Sequence, residues 1–254
     1  KYGDARNVMY QIEHGEIRPS KGLADAIAKM IEGNDEFVMI DDQKVVYERI
    51  WNLVEHSTPS SKNVVIVKGG PGTGKSVVAI QLTARLTAKQ KMVQYVSKNS
   101  APRDVYASKL TGIRTKSWVN NLFKGSGSYI QAEKNQFDAL IVDEAHRLNE
   151  KSGMFSNLGQ NQVMEIIEAA RCSVFFLDED QRVTMKDIGS SSEIEKWARY
   201  SGAEIHHLKL SSQFRCNGSD GYMAFLDQLL GIRETANTDI NELNYEFRVC
   251  NSPD

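Results

Sequence analysis

The sequence predicts an α/β fold in which a mainly parallel sheet carries helices on both faces. Short β-branched runs recur at 64–68 (VVIVK), 92–97 (MVQYVS), 139–143 (ALIVD), 173–178 (SVFFLD) and 205–210 (IHHLKL). Helix-like stretches at 75–88, 102–110, 160–171 and 191–201 lie between most of them. Strands that read as continuous apolar runs are buried on both faces, and helical connections between them return the chain for parallel pairing. The polar signatures fall just beyond the carboxyl ends of these runs, where open parallel sheets bind ligands.

Upstream of the first strand, residues 17–33 read as a helix: Pro19 near its start, Leu23, Ile27, Met30 and Ile31 on one face, Gly33 as stop. A second helix is predicted over 42–56, with Val45, Val46, Ile50, Leu53 and Val54 facing inward. The linker STPSSKN (57–63) then feeds the first strand, and KGSGSY (124–129) reads as a flexible loop. The closing segment YEFRVCNSPD (245–254) reads as a strand followed by a proline turn, and the first residue is Lys1. Both ends are therefore expected to lie inside a longer protein.

Composition narrows the class. Of the 254 residues, 41% are hydrophobic and 25% charged, as in an ordinary globular protein. No apolar run approaches the ~18 residues of a membrane span, so no membrane partner is expected. The formal net charge of −2 argues against a strongly basic nucleic-acid coat, though not against a local basic groove. Cys172, Cys216 and Cys250 share no metal-ligand spacing and are read as reduced thiols of a cytoplasmic protein. His206 and His207 are adjacent in a predicted strand and point to opposite faces, which disfavours a shared metal.

The string GGPGTGKS, Gly69 to Ser76, fits GxxxxGK[S/T] between a strand and a helix. Its glycines permit left-handed backbone and let N–H groups close on phosphate oxygens, to which the helix N-terminus adds partial positive charge. Gly70, Pro71, Gly72, Thr73 and Gly74 form the cradle. Lys75 is expected to reach the β- and γ-phosphates, and the Ser76 hydroxyl to ligate Mg²⁺. This predicts a P-loop NTPase.

FDALIVDEAHRL (137–148) ends a strand in Asp143 and Glu144. An Asp at a buried strand tip holds Mg²⁺ through water, and the following Glu is placed to polarise the attacking water. For His146, a role coupling the site to a partner surface and a local capping contact both stand open. In VFFLDEDQRV (174–183), Gln181 is the candidate contact for the γ-phosphate or the lytic water, with Asp178 orienting it. Arg215, just after the last strand, is the candidate charge clamp of the transition state.

This order of motifs resembles the ATPase core of superfamily 1 helicases. The strings GGPGTGKSVVA, LIVDEAH, FFLDEDQRV and SSQFRCNGSDGY more narrowly resemble the Schlafen-like (group 3) DNA/RNA helicase domain family of bacteria, from about residue 17 to the C-terminus. The resemblance implies a RecA-like fold, with Walker A at Gly69–Ser76, motif II at Asp143 and Glu144, motif III at Asp178 and Gln181, and motif IV at Arg215. It also implies that Gln43, in FVMIDDQKVV (37–46), reads the adenine edge of ATP. VSKNSAPRDVYASKL (96–110) matches the segment that meets single-stranded DNA or RNA, with Lys98, Asn99 and Arg103 as contacts. Arg114, Lys116 and Trp118 add to that surface, the Trp either stacking on a base or filling the core.

Asp-Glu-Ala-His is commoner in superfamily 2, and no counterpart of motifs V and VI is evident. The expected organisation is therefore a tail of an upstream region (1–16), a RecA-like ATPase domain (17–215) and the start of a second, truncated RecA-like domain (216–254). Three activities compete: a Mg²⁺-dependent, nucleic-acid-stimulated ATPase, an ATP-gated binding switch with little turnover, and a small-molecule kinase. The paired carboxylates and D-x-x-Q argue against the last.

Overall fold

A computed structural model describes residues 39, 41–110, 114–153, 157–181, 184, 186–211 and 228 of the protein. Its strands are β1 (Asn63–Gly69), β2 (Val93–Ser97), β3 (Phe123–Lys124), β4 (Phe137–Asp143), β5 (Ala170–Leu177) and β6 (Glu204–Leu210). The helices are α1 (Asp41–His56), α2 (Lys75–Ala88), α3 (Ser100–Leu110), α4 (Lys116–Leu122), α5 (Gln162–Ala169) and α6 (Ser191–Tyr200). The strands form one sheet in the order β3-β2-β4-β5-β1-β6, every pairing parallel. This is the α/β, RecA-like arrangement that the sequence predicts.

Burial explains why the strands read as unbroken apolar runs. Side chains alternate across the pleat with period two, and here both faces are covered. Val65, Val67, Ile141, Val174 and Phe176 face one core, built with Ile50 of α1, Leu82 of α2, Tyr106 of α3 and Leu122 of α4. Val64, Ile66, Leu140, Val142, Phe175 and Leu177 face the other, against Val163 and Ile166 of α5 and Ile194 of α6. A strand with apolar residues at every position has no face left for water.

Four local readings change. Val45 is 69% exposed, because α1 turns Val46, Tyr47, Ile50 and Val54 inward and Val45 away from the sheet. The predicted 160–171 helix runs over only Gln162–Ala169, with the Asn161 side chain capping it by accepting from Val163 and Met164 N–H; Ala170 and Arg171 already belong to β5. The segment 124–129 is not a loose loop: it ends the edge strand β3 and forms a 3₁₀ turn with Ser126 and Tyr129 buried. Tyr129 anchors it, its ring 5.9 Å from that of Phe137 and its hydroxyl 3.0 Å from Gln94 Oε1. Trp118 lies on α4 and packs partly buried against the first core, with the Arg114 guanidinium 5.5 Å from its ring. The 17–33 helix, the 1–16 tail and the 216–254 segment lie outside the described residues.

Candidate active site

β1 delivers the glycine-rich loop to the carboxyl edge of the sheet. Gly72 (φ 81) and Gly74 (φ 86) adopt the left-handed backbone that favours glycine. The Thr73 hydroxyl donates to the Gly70 carbonyl at 3.0 Å and closes the loop on itself. α2 starts at Lys75 with no side-chain cap, whereas Thr115, Asn161 and Ser190 cap α4, α5 and α6. An uncapped helix start leaves backbone N–H groups for an anion.

The Lys75 ammonium donates to the carbonyls of Gly69 (2.6 Å) and Gly70 (2.7 Å) and stands 3.8 Å from Asp178 Oδ2. Gln43, buried on α1, donates from Nε2 to the Thr73 carbonyl at 3.2 Å. Gly74 is favoured here by its left-handed backbone, and a Cβ would also displace the Gln43 amide from the Thr73 carbonyl.

β4 ends in Asp143, which is buried with both oxygens engaged. Its Oδ2 accepts from the Tyr95 hydroxyl at 2.6 Å, and its Oδ1 from the Glu144 N–H at 3.0 Å. Burial, reinforced by Asp143, pushes the Tyr95 phenol well above its ordinary range, so it stays a donor. Glu144 itself sits at φ 50, ψ 44, a left-handed conformation that costs a non-glycine residue free energy and aims its side chain off the strand line. Partial burial, then the adjacent Asp143, raise its carboxyl above the usual carboxylate range.

His146 resolves as a local contact. Its Nδ1 accepts the Asp178 N–H at 3.2 Å, which places its own proton on Nε2 and ties the end of β4 to the end of β5. Burial, then the positive charges of Lys75 and Arg147, lower its pKa to about 4. Asp178, also buried, accepts from the Asp180 N–H at 3.2 Å while its carbonyl accepts the Gln181 N–H at 3.2 Å. Gln181 closes a short 3₁₀ turn (Glu179–Gln181) with its side chain exposed.

Behind the acidic turn lies a carboxylate that motif reading passed over. Asp187 is 0% exposed and meets Lys98 Nζ at 3.2 Å, Arg147 Nε at 3.4 Å and the Thr184 N–H at 2.9 Å. Lys98 also donates to Asn149 Oδ1 at 2.9 Å. The Ile188 N–H donates to the Leu148 carbonyl at 2.8 Å, and a Cβ at Gly189 would strike the Ala145 carbonyl. Residues 187–189 thus clamp the 144–148 turn from outside the motif.

The structure brings Gln43, Gly70–Ser76, Asp143, Glu144, Asp178 and Gln181 to one edge of the sheet. Arg215 lies outside the described residues. Of the nucleic-acid candidates, Asn99 is exposed, Arg103 donates to the Asn99 carbonyl at 3.3 Å, and Lys98 is held in the Asp187 network. Tyr95, Asp187 and Arg147 were not legible as site residues. Tyr95 sits in an apolar run, and the partners of Asp187 lie 40 and 89 residues away. Among the described residues no group of three or more His, Cys, Asp or Glu could hold a metal by itself.

A glycine-rich loop, an acidic strand tip and a parallel sheet together define a P-loop NTPase core. The chain belongs to the family described as Schlafen group 3, DNA/RNA helicase domain, whose profile matches residues 62–254. No curated protein matches the chain. Among solved structures, DnaA from Aquifex aeolicus bound to AMPPCP is 17% identical over 85% of this chain and 56% of its own, with a TM-score of 0.38. Domain III of DnaA from Thermotoga maritima is 14% identical over 84% of this chain and 79% of its own, with a TM-score of 0.41. The helicase domain of Pyrococcus furiosus Hef is 13% identical over 67% of this chain and 40% of its own, with a TM-score of 0.35. The chain spans 55–58% of the length of the first three solved structures it matches.

Proposed function

We propose that the chain is the ATP-binding and ATP-hydrolysing core of a superfamily 1-type, nucleic-acid-dependent helicase or ATPase of the bacterial cytoplasm. The observation that carries this reading is the meeting of Lys75, Asp178, Asp143 and Glu144 at the uncapped start of α2. An ammonium beside the uncapped start of α2, the Ser76 hydroxyl next in sequence and a buried carboxylate at the neighbouring strand end suit a Mg²⁺-nucleotide. Magnesium is commonly held by one or two protein ligands plus phosphates.

The residues divide the work. Gly70–Ser76 enclose the phosphates, and Lys75 exchanges its contacts with the Gly69 and Gly70 carbonyls for phosphate oxygens. Ser76 and Asp143 would hold Mg²⁺, which supplies neutralisation of phosphate charge. Glu144 accepts the proton of the attacking water, and burial together with the adjacent Asp143 makes it a stronger base than an exposed glutamate. Gln181 contacts the γ-phosphate or the lytic water, and Arg215 stabilises the transition-state charge. Gln43 offers Oε1 and a second N–H to adenine while its first N–H holds the loop. Lys98, Asn99 and Arg103 lie at the β2–α3 junction, where they would meet single-stranded DNA or RNA. The assignment of 216–254 to a second RecA-like domain belongs to the same proposal, because translocation needs two such domains.

The test is ATP hydrolysis with and without single-stranded DNA or RNA, using Glu144→Gln as control. Stimulation by nucleic acid, with turnover lost and ATP binding kept in the variant, is the expected result. Tight ATP binding without turnover in the full-length protein would overturn it in favour of an ATP-gated switch.

A further inference from the structure

We propose that Tyr95 is a positioning residue for the Asp143 carboxylate, supported by a three-ring cluster that makes helix α3 part of that support. The inference rests on the reading of Asp143 as a Mg²⁺ residue. Tyr95 lies two positions back from the register partner of Asp143: Tyr95 faces Ile141 across the ladder, and Ser97 faces Asp143. The phenol spans that offset, about 6–7 Å, and places its hydroxyl 2.6 Å from Oδ2. That distance is typical of a charge-assisted O–H···O⁻ bond.

Two donors from different elements therefore fix one carboxylate. The Glu144 N–H holds Oδ1 and the Tyr95 O–H holds Oδ2, so the plane of the group is set before any ligand arrives. A phenylalanine would fill the same volume on β2 and lack only the hydroxyl. The ring is itself fixed. Tyr106 of α3 meets it edge-on at 5.9 Å and 87°, and Phe123 of β3 at 5.6 Å and 60°. Tyr106 and Phe123 complete the triangle at 5.6 Å. Helix α3 begins directly after Lys98 and Asn99, the residues proposed to meet nucleic acid.

The experiment compares wild type with Tyr95→Phe in the full chain. Binding of a fluorescent ATP analogue is titrated with Mg²⁺, and its affinity is measured again in EDTA. Partners that orient a metal-binding group typically change metal affinity 10–100-fold. The expected result is a Mg²⁺ midpoint raised about 10-fold in Tyr95→Phe, with unchanged affinity in EDTA and an unchanged far-UV circular dichroism spectrum. A midpoint within twofold of wild type overturns the inference alone. A wild type that binds the analogue with no response to Mg²⁺ overturns the underlying reading, and the inference with it. Should Tyr95→Phe not fold, Phe123→Leu loosens the ring without touching the hydroxyl. It should raise the midpoint two- to threefold, and no change there also overturns the inference.

Discussion

Lys75 and Asp178 form an ion pair at 3.8 Å, their side chains only 11% and 4% exposed. The phosphate loop and the tip of β5 thus share one pair of opposite charges at a site screened from water, where such pairs count for more than on a surface. Lys75→Ala removes both the cation that would meet the phosphates and the counter-charge of a buried carboxylate. ATP affinity should fall about 100-fold, roughly 3 kcal/mol, in a fluorescent-nucleotide titration. Unchanged affinity would show that the loop does not bind the triphosphate.

The pH dependence of turnover should reflect Glu144. Its folded pKa is raised by burial and by Asp143, so the basic form appears at higher pH than in an exposed glutamate. The acid limb of kcat should therefore lie higher than for an exposed glutamate. Glu144→Gln should lose about 10²–10⁴ in kcat with nucleotide affinity kept. An acid limb at the ordinary carboxylate value would remove Glu144 as the titrating base.

His146 predicts a second pH effect, on stability. In the folded protein its pKa is about 4, against 6.5 for the ordinary imidazole. Between those values the unfolded chain binds a proton and the folded chain does not, so acid favours unfolding. The contribution is complete above pH 6.5 and is lost as pH falls toward about 4, at most roughly 3 kcal/mol. Urea unfolding from pH 7.5 to 4.5 should show a steeper loss in wild type than in His146→Gln. Parallel curves would mean that the imidazole does not titrate in this window.

Asp187 should be the costliest polar residue to remove. Its carboxylate is fully buried between Lys98 and Arg147 and accepts from the Thr184 N–H. Asp187→Ala removes these contacts but leaves cations whose side chains are 30% and 34% exposed and can rehydrate, so the unfolding free energy from a urea titration should fall by about 1–3 kcal/mol. Lys98→Ala should do less, because Arg147 and the Thr184 N–H still hold the buried carboxylate. Equal losses in the two variants would mean that burial of the carboxylate is not the source.

The sheet was legible because four of its five long strands, β1, β2, β4 and β5, are buried on both sides and so read as apolar runs, whereas the edge strand β6 is largely half-buried or exposed. β3 was not legible: two residues, Phe123–Lys124, leave no periodic trace, and neighbouring KGSGSY has a loop's composition. Pairing of β3 with β2 and the packing of Tyr129 on Phe137 and Gln94 order it. Motif spacing revealed the phosphate loop, Asp143 and Glu144, since those positions are local in sequence. The supports of the site are remote in sequence. Tyr95 is 48 residues from Asp143, and Lys98 is 89 from Asp187. A tyrosine in an apolar strand and an aspartate in TMKDIGS carry no mark of their partners.

Strand β5 stands between β1 and β4, pairing Val65 and Ile141 alike with Val174. The glycine loop and the Asp143 turn share no ladder of their own; each is measured against the same intervening strand. β5 is thus the datum line of the site. A one-residue slip in it would swap its two faces and displace Asp178 from Lys75 and from the His146 ring together. Substitutions on the outer helices can be absorbed one at a time, whereas an insertion within Ala170–Leu177 would misalign both halves of the catalytic edge in a single step.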